Sequence, residues 1–265
     1  MKYILPNFYD FSVDNHTIIS QFLYQINWGG IQGNFPFHIL NGGPNNIIIE
    51  ELALAEDVLS SVSNYSFLSN RVLIDCGNTE IKPADYTNCF STVIFNAYAK
   101  LSNVYFEISS MDFADFLVNK YPSISLVIHQ NFINTHTEDE IQAFIDRYPD
   151  NIKSIIITPN NECINITNIE KIYLIPFSFC FCCPQLQHCL KIDNTMTLEY
   201  SEHSQFNTCL DRQLMPVSDI MELINRAKNY TDIILFESFL YASQMEEYHI
   251  LEQIIKECSV NDKEI

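Results

Sequence analysis

The residues best suited to chemistry are concentrated in one short stretch, FCFCCPQLQHC, which runs from Phe179 to Cys189. It contains four cysteines and one histidine, and a fifth cysteine, Cys209, follows it. Thiolates and imidazoles bind zinc in groups of four, and thiolates hold iron–sulfur clusters. Cysteines also form disulfides or pack as small apolar residues. The stretch therefore indicates a metal or cluster site, a disulfide framework or part of a core.

The spacing of these cysteines allows more than one ligand set. Cys182 and Cys189 are separated by six residues, and Cys209 follows after nineteen more. Cys180 and Cys183 form an overlapping C-x-x-C pair. An iron–sulfur cluster prefers four thiolates, and any of these five could supply them.

Zinc is the alternative, because it accepts three cysteines and one histidine. The nitrogen ligand would then come from His188 or His203. Among the remaining cysteines, Cys89 and Cys258 lie in helical segments and are expected in the core. Cys76 ends a strand and could supply a missing ligand.

The bulk composition favours a globular, acidic protein. The 265 residues include 33 acidic and 14 basic side chains, which give a formal net charge of −19. Such a field repels phosphate, and the sequence contains no cluster of lysine or arginine that could form a local basic patch. Binding to nucleic acid is therefore disfavoured. Hydrophobic residues make up 47% of the chain, which is enough for a full core.

The sequence predicts a cytoplasmic protein that does not enter a membrane. The first residues, MKYILPNFYDFSVDNH, do not have the pattern of a signal peptide, and no apolar run has the length of a membrane span. Thiols stay reduced in the cytoplasm, so the nine cysteines are not expected to form a disulfide framework.

Several common catalytic motifs are absent. All six glycines lie at or before Gly77, and NWGGIQG and NGGPN match neither the dinucleotide-binding fingerprint nor the P-loop. These two stretches are expected to form turns. No His-Glu-x-x-His and no G-x-S-x-G occurs, which disfavours a zinc protease and an ordinary serine hydrolase.

The elements that must position any site are short apolar runs alternating with amphipathic segments. The predicted strands are KYIL (Lys2–Leu5), FPFHIL (Phe35–Leu40), RVLID (Arg71–Asp75), NVYFEIS, ISLVIHQ (Ile124–Gln130), SIIIT, KIYLIPF and DIILFES. The predicted helices are Ile48–Val62, Ala84–Leu101, MDFADFLVNKY, TEDEIQAFIDRY, Val217–Tyr230 and QMEEYHILEQIIKE. Strands that are apolar on both faces and alternate with helices indicate a parallel sheet.

About eight predicted strands match the number that closes a (β/α)8 barrel. We therefore predict an α/β fold of the TIM-barrel type, as a single domain spanning residues 1–265, with the first units incomplete or irregular. An open, doubly wound sheet is the alternative.

In such a barrel, functional groups gather at the carboxyl ends of the strands. The residues at those positions are Asp75 with Cys76, Glu107, His129 with Gln130 and Asn131, Thr158 with Asn160, the cysteine stretch, and Glu237. They predict a polar ring with sulfur on one side.

The order of these features resembles the peptidase U32 family. The segment VYFEISSMDFADFLVNKYPSISLVIHQNFINT is similar to a strand, helix, proline and strand passage of that family, which ends in a histidine and polar residues, here His129, Gln130 and Asn131. DIILFESFLYASQMEEYHIL is similar to its late strand and helix. The resemblance covers roughly Asn103 to Leu251.

The segment IPFSFCFCCPQLQHCLKIDNTMTLEYSEHSQFNTC is similar to the cysteine region of the family. Cys182 and Cys189 match the first spacing, and Cys209 lies near the third family cysteine. The fourth is missing from LDRQLMPV, so Cys180 or Cys183 would have to replace it. The family's glycine- and arginine-rich stretch and its late arginine are also absent. The resemblance implies a [4Fe–4S] cluster on these cysteines.

The resemblance also implies a function. Characterised relatives carry out oxygen-independent hydroxylation of RNA bases or of a quinone precursor, and the acidic surface favours a small molecule or peptide here. His129 would be the proton donor or acceptor, because histidine titrates near neutral pH, and Asp75 and Glu107 would orient the substrate. A true peptidase is disfavoured. The alternatives are a non-catalytic binding protein, for which a homologous subunit is the expected partner, and a barrel with a structural zinc site.

Overall fold

Short runs of aliphatic residues form the strands of this chain, and most of their side chains are buried. In a computed structural model that describes residues 1–5, 28–34, 71–76, 81–176, 215–236, 253–254 and 256–257, eight strands pair in chain order into a closed parallel barrel. The first and last strands also pair with each other, so the sheet closes. The predicted (β/α)8 fold is confirmed.

The strands and helices alternate over most of the described chain. The strands are β1 (Lys2–Leu5), β2 (Trp28–Asn34), β3 (Arg71–Cys76), β4 (Val104–Ile108), β5 (Ser125–Ile128), β6 (Ile152–Ile157), β7 (Glu170–Ile175) and β8 (Ile233–Phe236). The helices are α1 (Pro83–Thr87), α2 (Cys89–Tyr98), α3 (Met111–Lys120), α4 (Gln130–Thr135), α5 (Glu138–Arg147) and α6 (Val217–Ala227).

Alternation along each strand divides the core into two layers. Side chains such as Leu73, Val127 and Leu235 form a cluster inside the barrel. Their neighbours in sequence, such as Ile74 and Phe236, join a larger cluster with the helices. Successive side chains of a strand point to opposite faces, so position parity decides which layer a residue joins.

Strand β2 is where the sequence-based prediction of turns was wrong. The stretch WGGIQGN pairs with β1 and β3 as a regular parallel strand. A Cβ at Gly30 would lie 2.2 Å from the backbone oxygen of Arg71, so the close approach of β2 and β3 requires glycine at this position. The glycines therefore serve strand packing here.

The helices begin at capping residues that the sequence contains. Thr137 and Glu140 form the predicted capping box of α5, with Thr137 accepting from the Glu140 N–H at 3.3 Å. The single helix predicted for Ala84–Leu101 is instead two, because Asn88 has an extended backbone and caps α2 through the Ser91 N–H.

No helix is described between β6 and β7. Residues 158–169 cover this side of the barrel as turns and loop, and Ile164 and Ile166 are buried where a helix would pack. The loop is attached to the core through Glu162, which accepts hydrogen bonds from the Tyr173 hydroxyl at 2.8 Å and from the Arg226 guanidinium of α6.

The amino end of the barrel is closed by a polar group inside it. Arg71, at the start of β3, forms an ion pair of 2.6 Å with Glu170, at the start of β7. It also donates to the Ser154 hydroxyl at 3.2 Å and lies 5.0 Å from the centre of the Tyr105 ring. Strands β3 and β7 lie on opposite sides of an eight-stranded barrel, so this pair spans the barrel floor.

Other predicted elements lie outside the described residues. These are the strand Phe35–Leu40, the helix Ile48–Val62 and most of the last helix, of which residues 253–254 and 256–257 are described as helical. Among the helices described, none combines the length and the apolar character that crossing a membrane requires.

Candidate active site

Three successive strands bring ionisable side chains together at the carboxyl end of the barrel. Asp75 lies on β3 and is paired in register with Glu107 on β4. His129 follows the last residue of β5, and its backbone N–H bonds the Ile108 carbonyl, which continues the β4–β5 ladder by one residue. All three positions were predicted from the strand ends.

The three functional groups are close to one another and shielded from water. One carboxylate oxygen of Asp75, one of Glu107 and one imidazole nitrogen of His129 all lie within 4.8 Å of one another. The exposed fractions of these residues are 8%, 0% and 7%. Charges at such distances interact strongly in a buried site, and the charge of Asp75 influences the pKa of both Glu107 and His129.

Gln32 of β2 adds a fourth strand to the site. Its side-chain amide nitrogen donates to both oxygens of Glu107, at 2.9 and 3.0 Å. Sequence reasoning missed Gln32, because the stretch that contains it was interpreted as a turn. The alternation of I-Q between two glycines is too short a strand signal to have identified it.

Burial raises the pKa of Glu107 well above the ordinary value of 4.5, and the negative charge of Asp75 raises it further. The hydrogen bond from Gln32 acts in the opposite direction, because it stabilises the ionised carboxylate. Glu107 therefore keeps its proton to a higher pH than an ordinary glutamate does.

Burial lowers the pKa of His129 below the ordinary value of 6.5, and Asp75 partly opposes this effect. The Nδ1 atom of His129 accepts a hydrogen bond of 3.2 Å from the Asn131 N–H at the start of α4. An accepting Nδ1 carries no hydrogen, so the neutral ring carries its hydrogen on Nε2. His129 is thereby fixed as a neutral imidazole that can donate from Nε2.

The cysteines inside the described ranges are not at this site. Cys76 follows Asp75, but it belongs to the layer between the barrel and the helices. Burial raises the pKa of its thiol well above the ordinary value, and Asp75 and Glu107 add to the effect. Cys76 thus lies apart from the three ionisable side chains, and the expectation that it supplies a metal ligand stays a prediction.

Cys89 was expected in the core, and this expectation was wrong. It begins α2 with its side chain exposed, whereas Ser91 in the same turn is buried. Cys163 is exposed in the loop after β6. The predicted metal ligands Cys180, Cys182, Cys183, Cys189 and Cys209 lie outside the described residues, as do His188, His203, Glu237 and Cys258.

The remaining predicted positions have local structural roles. Thr158 is buried just after β6, where its hydroxyl accepts from the Asn160 N–H at 3.3 Å and its own N–H donates to Asn161 at 2.6 Å. Asn160 is exposed in this turn. Gln130 begins α4, a short helix that sequence reasoning missed because the ISLVIHQ run was extended through it.

The donor set of the site has two chemical uses. A carboxylate pair with an imidazole can exchange protons with a bound molecule. Two carboxylates and one imidazole can also bind a divalent cation such as Mn²⁺, Zn²⁺ or Fe²⁺. An iron–sulfur cluster does not fit these three residues, because it requires thiolates.

Comparisons with known proteins identify no family for the chain. No family model matches it, and no curated protein does. Among solved structures, apo 3-keto-D-glucoside 4-epimerase from E. coli is 13% identical, with a TM-score of 0.38, and the alignment covers 96% of this chain and 98% of the other. The Pseudomonas stutzeri endoglucanase Cel5A with cellobiose is 8% identical, with a TM-score of 0.39 and coverages of 95% and 84%. The fold assignment follows from the strand pairing itself.

Proposed function

We propose that this chain is an enzyme that transfers protons to and from a small molecule or peptide at the carboxyl end of the barrel. One observation carries the proposal: Asp75, Glu107 and His129 converge, buried, from three successive strands at the end where functional groups of such barrels gather. Burying ionisable groups costs free energy, and active sites are where proteins accept this cost.

The environments of the three groups suggest different roles. Glu107, in its protonated form, donates a proton or a hydrogen bond to a substrate oxygen. His129 donates from Nε2 as a neutral ring, and Asp75 accepts a proton from the substrate or orients it. A neutral imidazole in one enzyme and a protonated carboxyl in another are each known to polarise a carbonyl while a carboxylate removes a proton from the adjacent carbon. This reaction class is the one we assign.

A second candidate function is metal-dependent catalysis with Asp75, Glu107 and His129 as ligands. The close approach of the three ligand atoms favours it. The hydrogen bonding of His129 is unfavourable for metal binding, because a metal-binding histidine normally donates its second N–H to an acceptor. Here that second nitrogen accepts from Asn131 instead, so binding a cation through Nε2 would require this hydrogen bond to break.

The iron–sulfur chemistry implied by the resemblance to the U32 family remains a prediction. The ligands we propose for a [4Fe–4S] cluster are Cys182, Cys189 and Cys209 with Cys180 or Cys183. Oxygen-independent hydroxylation would then take place beside the same three residues.

Metal analysis separates these possibilities. The protein is purified without oxygen, and its visible spectrum and its iron, sulfide, zinc and manganese contents are recorded. Iron with sulfide supports the cluster, and zinc that is lost in a Cys182→Ser variant supports the structural site. Calorimetric titration with MnCl2 or ZnCl2 follows, with Glu107→Gln as the matched variant. Binding that this variant abolishes supports the second candidate and contradicts metal-free proton transfer.

The proton-transfer reaction itself is tested by isotope exchange. A panel of small ketones, keto acids and short peptides is incubated with the protein in D2O, and NMR measures the loss of protons next to the carbonyl groups. We expect at least one compound to exchange about a hundredfold faster with the parent protein than with Glu107→Gln or Asp75→Asn. Gln142→Leu, a change on the outer helix α5, is the control. Equal exchange in all of these proteins contradicts the proposal.

A further inference from the structure

Ser109 is a buried hydroxyl at the barrel mouth whose presence the fold does not explain. Its exposed fraction is 6%, and its Oγ has no hydrogen-bond partner in the part of the chain that the structure describes. A buried hydroxyl without a partner costs free energy, and such groups are rare in folded proteins. The described part of the chain therefore leaves this hydroxyl free to bond a bound molecule.

The strand register places Ser109 beside the three ionisable residues. Ile108 of β4 pairs with Ile128 of β5, and the His129 N–H bonds the Ile108 carbonyl. Continued by one residue, this register sets Ser109 next to His129 on the neighbouring strand. Ser109 also has the same parity as Glu107, whose side chain lies inside the barrel.

Capping does not account for this serine. The adjacent residue, Ser110, is the N-cap of α3, and its Oγ accepts from the Phe113 N–H at 3.4 Å. Ser109 is one residue earlier, between the strand and the cap, where alanine or another small residue would satisfy the backbone equally well.

We propose that Ser109 is a further substrate-contacting residue of the mouth and that it binds an uncharged oxygen, a carbonyl or a hydroxyl, of the substrate. The proposal rests on the proposed function, since it assumes that a substrate occupies this end of the barrel. The proposal adds one residue that contacts the substrate, and it names the chemical class of the substrate group that this residue binds.

The neighbouring groups determine that chemical class. Ser109 can donate from its hydroxyl and His129 from Nε2, so the adjacent point of the ligand is an acceptor. An ammonium group offers only donors, which the Nε2–H of His129 cannot accept, so it is disfavoured there. An anion is disfavoured by the negative charge of Asp75, which acts strongly in a buried site. An uncharged oxygen satisfies both conditions.

The first test needs no ligand. Ser109→Ala removes an unsatisfied polar atom, so we expect the melting temperature to rise by about 2–4 °C. The adjacent change Ser110→Ala removes a helix cap and should lower the melting temperature. A lower melting temperature for Ser109→Ala shows that the hydroxyl already has a structural partner, and this result overturns the proposal.

The second test uses dihydroxyacetone as the probe, because it carries uncharged carbonyl and hydroxyl oxygens. Its binding to the full chain is measured by NMR titration and compared with acetate and methylammonium. Of the three compounds, we expect only dihydroxyacetone to bind. Ser109→Ala should weaken its affinity about tenfold, and Ser109→Thr, which keeps the hydroxyl, should retain the affinity.

The outcomes separate this proposal from the proposed function. If dihydroxyacetone binding depends on Ser109 but no compound shows proton exchange, the proposed contact is retained and the proposed reaction is contradicted. If Ser109→Ala still catalyses proton exchange and binds dihydroxyacetone with unchanged affinity, the proposed reaction is retained. The proposed contact of Ser109 with the substrate is then overturned. Stronger binding of acetate or methylammonium overturns the assigned class of ligand.

Discussion

The amide nitrogen of Gln32 lies 2.9 and 3.0 Å from the two carboxylate oxygens of Glu107, so one side chain holds both oxygens of the other. The two residues are on β2 and β4, and the bond passes across the inner face of β3. This contact stabilises the ionised form of a carboxyl group whose pKa burial and Asp75 raise. Gln32 thus opposes the main forces that act on Glu107.

Replacing Gln32 with Leu should raise the pKa of Glu107 further, because the replacement removes the hydrogen bond that lowers it. Infrared spectroscopy can follow the carbonyl band of the protonated carboxyl group through a pH titration. The band is assigned by its loss in Glu107→Gln. We expect it to persist to higher pH in Gln32→Leu than in the parent.

The control for this titration is Gln142→Leu, which removes an exposed amide that bonds Asp146 on α5. Its infrared titration should match that of the parent protein. A Glu107 band that disappears at the same pH with and without Gln32 would show that the amide does not influence the carboxyl group.

Glu107 should make the protein less stable as the pH rises. Its pKa is raised in the folded state, so the unfolded chain releases this proton at a lower pH than the folded protein does. The unfolding free energy should therefore decrease as the pH rises above about 4.5, the ordinary value. Urea denaturation between pH 4 and pH 8 measures this slope, and Glu107→Gln should flatten it. An equal slope in both proteins contradicts the raised pKa.

His129 should make the protein less stable as the pH falls, which is the opposite of the effect of Glu107. Burial lowers its pKa below 6.5, so the unfolded chain takes up this proton first as the pH falls. The His129 contribution to stability is complete above about 6.5 and is lost as the pH falls through the folded pKa. His129→Asn should remove this loss in the same denaturation series. His136→Asn, which changes the histidine at the other end of α4, should leave it in place.

Arg71→Met should lower the unfolding free energy by about 2 kcal/mol, because it removes the bonds to Ser154 and Glu170 and the contact with the Tyr105 ring. The Glu170 side chain is 40% exposed, so solvent screens part of the ion pair. Chemical denaturation measures the change.

The matched control is Arg147→Met. Arg147 is 56% exposed and lies 3.7 Å from Asp115, a pair that should contribute less than about 0.5 kcal/mol. If the two arginine variants lose equal stability, the floor of the barrel has no special role in holding the fold.

Gly30→Ala should lower the unfolding free energy by about 3 kcal/mol or prevent folding, because the added methyl group would lie 2.2 Å from the Arg71 backbone oxygen. Gly29→Ala is the comparison. Its Cβ would lie 3.1 Å from the Cβ of Lys2, a tight contact but a much smaller overlap than at Gly30, so a smaller loss of about 1 kcal/mol is expected. Circular dichroism with thermal melting distinguishes the two, and equal melting temperatures would contradict the close packing of β2 against β3.

The parts of the fold that follow from side-chain pattern were predictable. Runs such as RVLID and SIIIT bury both faces of a strand, and Asp75, Glu107 and His129 could be placed at one end because parallel strands share their carboxyl edge.

The parts that depend on contacts distant in sequence were not predictable. In the stretch WGGIQGN, Gly30 pairs closely with Arg71, which lies 41 residues further along the chain. No local sequence pattern indicates this contact. The role of Gln32 was not predicted, because the strand that contains it was predicted to be a turn. The tautomer of His129 depends on the Asn131 N–H, whose direction only the backbone determines.

The ion pair of Arg71 and Glu170 also has a consequence for the proposed function. Among the described residues, these side chains occupy the amino end of the barrel interior. Under the proposed function, a substrate would therefore enter and its product leave on the same side, at the carboxyl end. A product still bound there would compete directly with fresh substrate, and its release would be a candidate for the slow step.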